Sequence, residues 1–316
     1  MNNSVGDVKK IPLVTKFDDE IKGLVLECIE IAKNDWNSRE ISWNFSRSPL
    51  LKPLTSIALS LAQWESDVLD DLLSLRKLEE RINEKLIAIY GLEDELKSEV
   101  ELKDITILQD ELKLEILSTW GNSISPSREK SPISRAVVIK NLLSFSVGCF
   151  LGRYRLDKPG LNIAYPLESQ EELSAYKYNG ITFEIDDDAI IPIMGVESPF
   201  SDDIVQRVQQ FVLMVWGEDS YTENLNFINE ALGEDLEKYL TRKFWDFHRK
   251  MYKKRPIYWQ FASPNGAFKV LTYMHRMNRF TVQKIRQNYL FKQINYLESE
   301  IARLKANEAS LNSTEA

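Results

Sequence analysis

With 316 residues, 43% of them hydrophobic, the chain can build two modest domains, each with a core of its own. Its most apolar stretch, residues 133 to 152, carries Arg135 and Lys140, so no membrane span is expected; Met1 to Lys10 lacks the apolar centre of a secretory signal, which makes the cytoplasm the expected location. A net charge of −8, spread evenly, would disfavour a nucleic-acid partner, because phosphate binding is driven by Lys and Arg releasing condensed counterions.

Taken in order, residues 1–16 alternate Val8, Ile11, Leu13 and Val14 and read as a strand or tail of a domain lying outside this sequence. A helix is expected over 18–37, where Ile21, Leu24, Val25, Cys28, Ile29 and Ala32 share one face. Pro49 and Pro53 break the pattern. A longer helix follows: Val68, Leu72, Leu75, Ile82, Leu86 and Ile89 are spaced as in a coiled coil, and Gly91 stands where a left-handed cap belongs. A third helical stretch is expected over 102–120, closing a helical spacer of residues 17–120.

Residues 121–134 hold two prolines and five serines and mark a linker. The domain from 135 to 288 opens with a helix over 135–151 that is apolar on most sides, with Gly148 and Gly152 four apart to let another backbone close in. Short strands are expected at 181–185 and 190–194, joined by Asp186, Asp187 and Asp188; three adjacent acids invite a metal reading, but neighbours on a strand face opposite ways and cannot all ligate one ion, so a solvated turn is expected. Helices resume over 202–216, 224–232 and 236–252. The chain closes over 289–316 with Leu290, Ile294, Leu297, Ile301, Leu304 and Leu311, a short amphipathic coil expected to pair within the molecule, then a polar tail. The fold class is therefore mainly α with a minor β component (α+β): a helical spacer, then a helix-rich domain with a few short strands.

Little material for catalysis is present. Twelve glycines form no Gly-x-Gly and eleven prolines form no adjacent pair, so neither a glycine-rich cofactor turn nor a Pro-Pro base-gripping loop can be read, and a P-loop is excluded. The only histidines are His248 and His275, and His248, among Phe244, Trp245 and Tyr252, reads as a partly buried structural residue. Cys28 and Cys149 fit no metal or disulfide pattern and read as small buried apolar residues.

Charge, however, is segregated. Residues 242–292 carry thirteen Lys or Arg against one acid, Asp246, giving +12 there and −20 elsewhere. Aromatics interleave with those cations, a composition suited to phosphate neutralisation and equally to an aromatic core with cations outside. Arg249, Lys253, Lys254, Arg255, Arg276 and Arg279 are the candidate contacts to double-stranded DNA. Ser263-Pro-Asn-Gly266 reads as a turn into a helix containing Phe268, Leu271, Tyr273 and Met274, whose exposed amides could hold a phosphate.

The run Lys254-Arg-Pro-Ile-Tyr-Trp-Gln-Phe-Ala-Ser-Pro-Asn-Gly266, with Tyr273-Met-His-Arg276 beyond it, resembles a pattern near the C-terminus of the PglX family of BREX phage-defence adenine methyltransferases. Val5–Pro12, Ala88–Leu96, Ser146–Tyr154, Ile190–Ile193 and Asp202–Ile204 match in the same order. The resemblance implies a C-terminal, DNA-contacting or accessory portion, with residues 1–16 ending a target-recognition domain. It also implies a separate catalytic portion that uses S-adenosylmethionine, no cofactor in this chain, and other BREX proteins or a phage inhibitor as further partners. The alternative expectation is a helical protein-interaction scaffold.

Overall fold

The computed structural model describes residues 19–117, 131–165 and 170–314. It divides into two compact units, the first made of residues up to Trp36 with Gln63–Ser134 and the second of Asn37–Ala62 with Arg135–Ala316. The expected strand or tail over 1–16 and most of the linker over 121–134 fall outside the described residues.

In the first unit, helix α1 (Asp19–Asn37) buries Ile21 and Leu24, while Val25 and Ile29 of its expected face are exposed and Cys28 is half-buried. Helix α2 (Ile57–Tyr90) begins eleven residues before the first apolar position of its repeat and places Leu69, Leu72 and Leu75 in the core. It stops at Gly91, whose φ of 63° permits the amides of Gly91 and Leu92 to return to the carbonyls of Ala88 and Ile87. Among the described residues the expected third helix is absent: over 102–117 a 3-10 turn (Leu102–Asp104) and a single helical turn, α3 (Leu114–Leu117), stand in its place. The reason is visible in the burial, since Leu102, Ile105, Ile107 and Leu108 are all in the core at spacings no helix face can supply. Leu108 is left-handed, and its amide is held by the Asp35 carboxylate at 3.2 Å.

The second unit is built around α4 (Arg135–Phe150), buried on every side from Leu142 onward. Against it pack α5 (Ile204–Trp216), α6 (Tyr221–Leu232) and α8 (Phe244–Met251), with α7 (Leu236–Arg242) between the last two. Asp203 caps α5 by accepting from the Val205 amide, and Asp235 caps α7 in the same way. Buried Asn224 reaches back to the amide of Ile57, which belongs to this same unit, so a polar core residue satisfies the first turn of α2. Strands β1 (Tyr176–Tyr178) and β2 (Ile181–Phe183) form a hairpin.

A second, antiparallel sheet has the order β3 (Ile190–Pro192), β5 (Lys269–Tyr273), β4 (Tyr258–Ala262). Pro192 is tolerated because β3 is an edge strand. Strand β5 replaces the expected helix: Val270, Leu271, Thr272 and Tyr273 are buried in succession, as only a central strand covered on both faces allows. Ser263–Phe268 is the hairpin loop, and its own side chains occupy its amides, Asn265 Oδ1 taking Ala267 and Ser263 Oγ taking Phe268. The expected phosphate cradle at a helix start therefore does not exist.

Gly148 and Gly152 are indeed packing positions, but for side chains: a Cβ on Gly148 would lie 2.6 Å from the Tyr154 ring and 2.8 Å from the Tyr258 hydroxyl. After β5 come a short turn, α9 (Thr281–Lys284), a π-helical segment (Ile285–Leu290) and α10 (Phe291–Thr314). The apolar stripe of α10 is exposed at Ile294, Leu297, Ile301 and Leu304, so the expected pairing within the molecule is not seen among the described residues.

Candidate nucleic-acid interface

Helix α8 ends in a turn made of lysines. The Lys253 amide returns to the Lys250 carbonyl and the Lys254 amide to the Arg249 carbonyl, the paired bonds that close a helix through a left-handed residue. Glycine ordinarily fills such a position, yet here Lys253 has φ 50° and Lys254 φ 64°. Each left-handed lysine costs about 1 kcal/mol or more relative to a relaxed backbone. Lys253, Lys254 and Arg255 are all exposed and project from this strained turn. Replacing Lys254 by Gly should accordingly raise the unfolding free energy by about 0.5–1 kcal/mol, read as a higher urea midpoint, because the turn relaxes while nothing packed is lost.

Two buried groups hold the turn in place. His248 is wholly buried, and its Nε2 accepts from the amides of Ile257 and Tyr258, each at 3.2 Å, while its ring stacks on Tyr258 with centroids 4.4 Å apart. An imidazole accepting at Nε2 is neutral; burial, helped by the Arg153 charge, pushes its pKa down to about 3. The expected structural role of His248 is therefore seen in detail.

Tyr252, the residue before Lys253, donates its hydroxyl to Glu40 Oε1 at 3.1 Å. Glu40 is buried, receives a long bond from Tyr154, and lies 4.0 Å from Arg153 Nε. Arg153 in turn donates to the hydroxyls of Tyr154 and Tyr273, and Tyr273 donates to the Ile163 carbonyl. Burial raises the Glu40 pKa against the pull of Arg153. Nothing in the sequence singles out Glu40: it stands in a polar segment between two helices, where an acid ordinarily faces water.

The remaining candidates come to the same end of the β4–β5 hairpin, because the Met274 amide bonds the Ile257 carbonyl just beyond the register pair Tyr258–Tyr273. Arg279 is exposed there and lies over the Phe280 ring. Arg276 is turned to another task, donating to the carbonyls of Asp186, Leu151 and Asp187 at 2.6, 3.3 and 2.8 Å. Arg249 pairs with Asp246 at 2.9 Å and covers the Trp245 ring. Of the interleaved aromatics, Phe244, Tyr258, Phe268, Tyr273 and Tyr289 are core, whereas Trp259, Phe280 and Phe291 are exposed.

The acidic triplet is not a solvated turn throughout. Asp186 is buried, and carboxylate oxygens of Asp186, Asp187 and Asp188 lie within 4.8 Å of one another, because a turn does not alternate its side chains as a strand does. Asp186 and Asp188 both accept from the Ile190 amide, Arg207 approaches Asp186 at 3.6 Å, and Tyr289, in the π-helical segment, donates to Asp188. Burial, then the Asp188 charge, push Asp186 up to about 7, with Arg207 opposing. A carboxyl whose pKa is raised on folding stabilises fully below its unfolded pKa and loses that contribution as pH rises through the folded one. The Asp186 contribution thus grows as pH falls from about 7.5 towards 5, while that of neutral buried His248 shrinks below about 6.5, so the test is the difference: the stability lost in Asp186→Asn relative to the parent chain should change over this range, and a pH-independent difference would place the titrating group elsewhere.

No family model matches the chain. Along 96% of its length it is similar to two curated proteins: 35% identical over 323 residues to the adenine-specific methyltransferase BrxX of Escherichia coli O9:H4 (strain HS), and 32% identical over 322 residues to the adenine-specific methyltransferase PglX of Lacticaseibacillus casei (strain Zhang). The matched region is 26% of the first protein and 24% of the second, so the chain spans about a quarter of the length of these relatives.

Proposed function

This chain is a relative of the PglX-family adenine-specific methyltransferases, spanning about a quarter of their length, and from that premise we propose that it is the C-terminal, DNA-contacting portion of such an enzyme in a BREX-type phage-defence system. The observation that carries the reading is the exposed Lys253-Lys254-Arg255 turn, held in an unfavourable backbone conformation by buried His248 and Glu40. An exposed run of three cations can neutralise phosphates, and the backbone that holds it fixes where those charges sit. Arg249 and Arg279 extend it, and Arg276 supports the adjoining loop through its carbonyl bonds.

Methyl transfer belongs to the partner portion, which supplies S-adenosylmethionine binding and the base-gripping loop. The passage from β3 to α5 is capped by Asp203, whose carboxylate takes the amides of Met194, Gly195 and Val205 and leaves no open cradle. The chain's cations would position duplex DNA, with base edges read elsewhere in the enzyme. Such a portion works in the cytoplasm, where the DNA is, together with other BREX proteins.

Binding of the 316-residue chain to a labelled duplex over a salt series tests this. A linear fall of log affinity with log salt is expected. Absence of binding even at low salt would sink the DNA-contacting reading and favour a protein-interaction scaffold, to which the exposed stripe of α10 already lends support.

A further inference from the structure

We propose that α10 forms a parallel two-stranded coiled coil with a second copy of this chain. The helix leaves the π-helical segment anchored at its base: Tyr289 stacks on Phe200, and Leu290 packs against the core cluster of β3, β5 and Phe268. From there outward its apolar residues are exposed. Ile294, Leu297, Ile301 and Leu304 are 40, 40, 51 and 57% exposed, a continuous stripe rather than scattered single residues.

The chemistry of that stripe specifies its occupant. Its 3-4-3 spacing is the repeat that keeps a seam facing a partner helix, and it sets Leu297 and Leu304 at d positions and Ile294 and Ile301 at a positions, the preceding d position, Leu290, being taken by the chain's own core. β-branched residues at a with leucine at d favour two parallel strands over higher assemblies. Flanking charges agree: Glu300 is a g position and Lys305 the e position that it meets on a parallel partner, so the two-fold axis creates the attractive pair twice. Glu300 already accepts from Arg303 of its own helix at 2.7 Å, which orients the carboxylate and leaves lone pairs for a second donor. Because the seam is short, the dimer is weak.

Sedimentation equilibrium of the 316-residue chain between about 1 and 200 µM should show monomer passing to dimer. The pair L297D/I301D should stay monomeric with its circular dichroism unchanged. E300K and K305E should each weaken association roughly tenfold, and an equimolar mixture of the two should restore it as a heterodimer. In a Cys28→Ser background, Ile294→Cys should join two chains by a disulfide under mild oxidation, since a positions meet their own copies only in the parallel arrangement. A monomer at every concentration, or a dimer indifferent to L297D/I301D, overturns the proposal and gives the stripe to another segment or a different protein. A dimer that L297D/I301D abolishes but Ile294→Cys fails to cross-link overturns the parallel arrangement.

Discussion

Replacing Glu40 by alanine is expected to cost about 3–5 kcal/mol of unfolding free energy, enough to consume a large part of the stability of an ordinary domain. The carboxylate is buried beside the Arg153 guanidinium, itself nearly out of solvent, so truncation leaves a charge in the core with its counter-charge removed. The Tyr252 hydroxyl loses its acceptor in the same step. Glutamine separates these effects. Glu40→Gln also removes the charge facing Arg153 but keeps an acceptor for Tyr252 and Tyr154, so it should cost less than alanine by about 1–2 kcal/mol, the contribution of those hydrogen bonds. Urea unfolding followed by tryptophan fluorescence would compare the two; equal, small losses for both would mean that Arg153 reaches solvent when Glu40 is gone and that the network is no linchpin. Because Tyr252 precedes the lysine turn directly, Glu40→Ala, which takes away its acceptor, should also loosen that turn more than Glu40→Gln does, seen as faster hydrogen exchange at the amides of Lys253 and Lys254.

The difference between what this sequence reveals and what it conceals follows the range of the interactions. The helices over 19–37 and 135–150, and the break around Pro49 and Pro53, rest on local periodicity and steric rules, and they are legible. So is the mainly helical class. The segments over 102–120 and 267–274 are not, because burial against distant chain decides them: Leu108 is fixed by Asp35, and β5 exists only between β3 and β4. Charge segregation points to the Lys253–Arg255 run directly, since exposed cations need no partner to be seen. Arg276 carries the same composition signal, but its role depends on carbonyls roughly ninety and 125 positions away. Glu40 is invisible for the same reason: its partners Arg153 and Tyr252 lie 113 and 212 positions on.

Reversing the basic turn with K253E/K254E/R255E should lower affinity for duplex DNA by about two orders of magnitude near 0.1 M salt and reduce the slope of log affinity against log salt by about 3, close to one for each phosphate contact removed. Stability should change by no more than about 0.5 kcal/mol, because all three side chains are exposed. The slope discriminates more sharply than affinity alone. A general change in net charge weakens steering while leaving the number of displaced counterions nearly constant, whereas loss of specific contacts lowers that number. Arg276→Gln supplies the contrast: it should lower stability by leaving buried carbonyls with fewer donors, and alter the slope little, because its guanidinium faces the protein. If instead Arg276→Gln reduces the slope and the triple reversal does not, the contact surface lies on the loop after β5, and the strained lysine turn serves a protein partner.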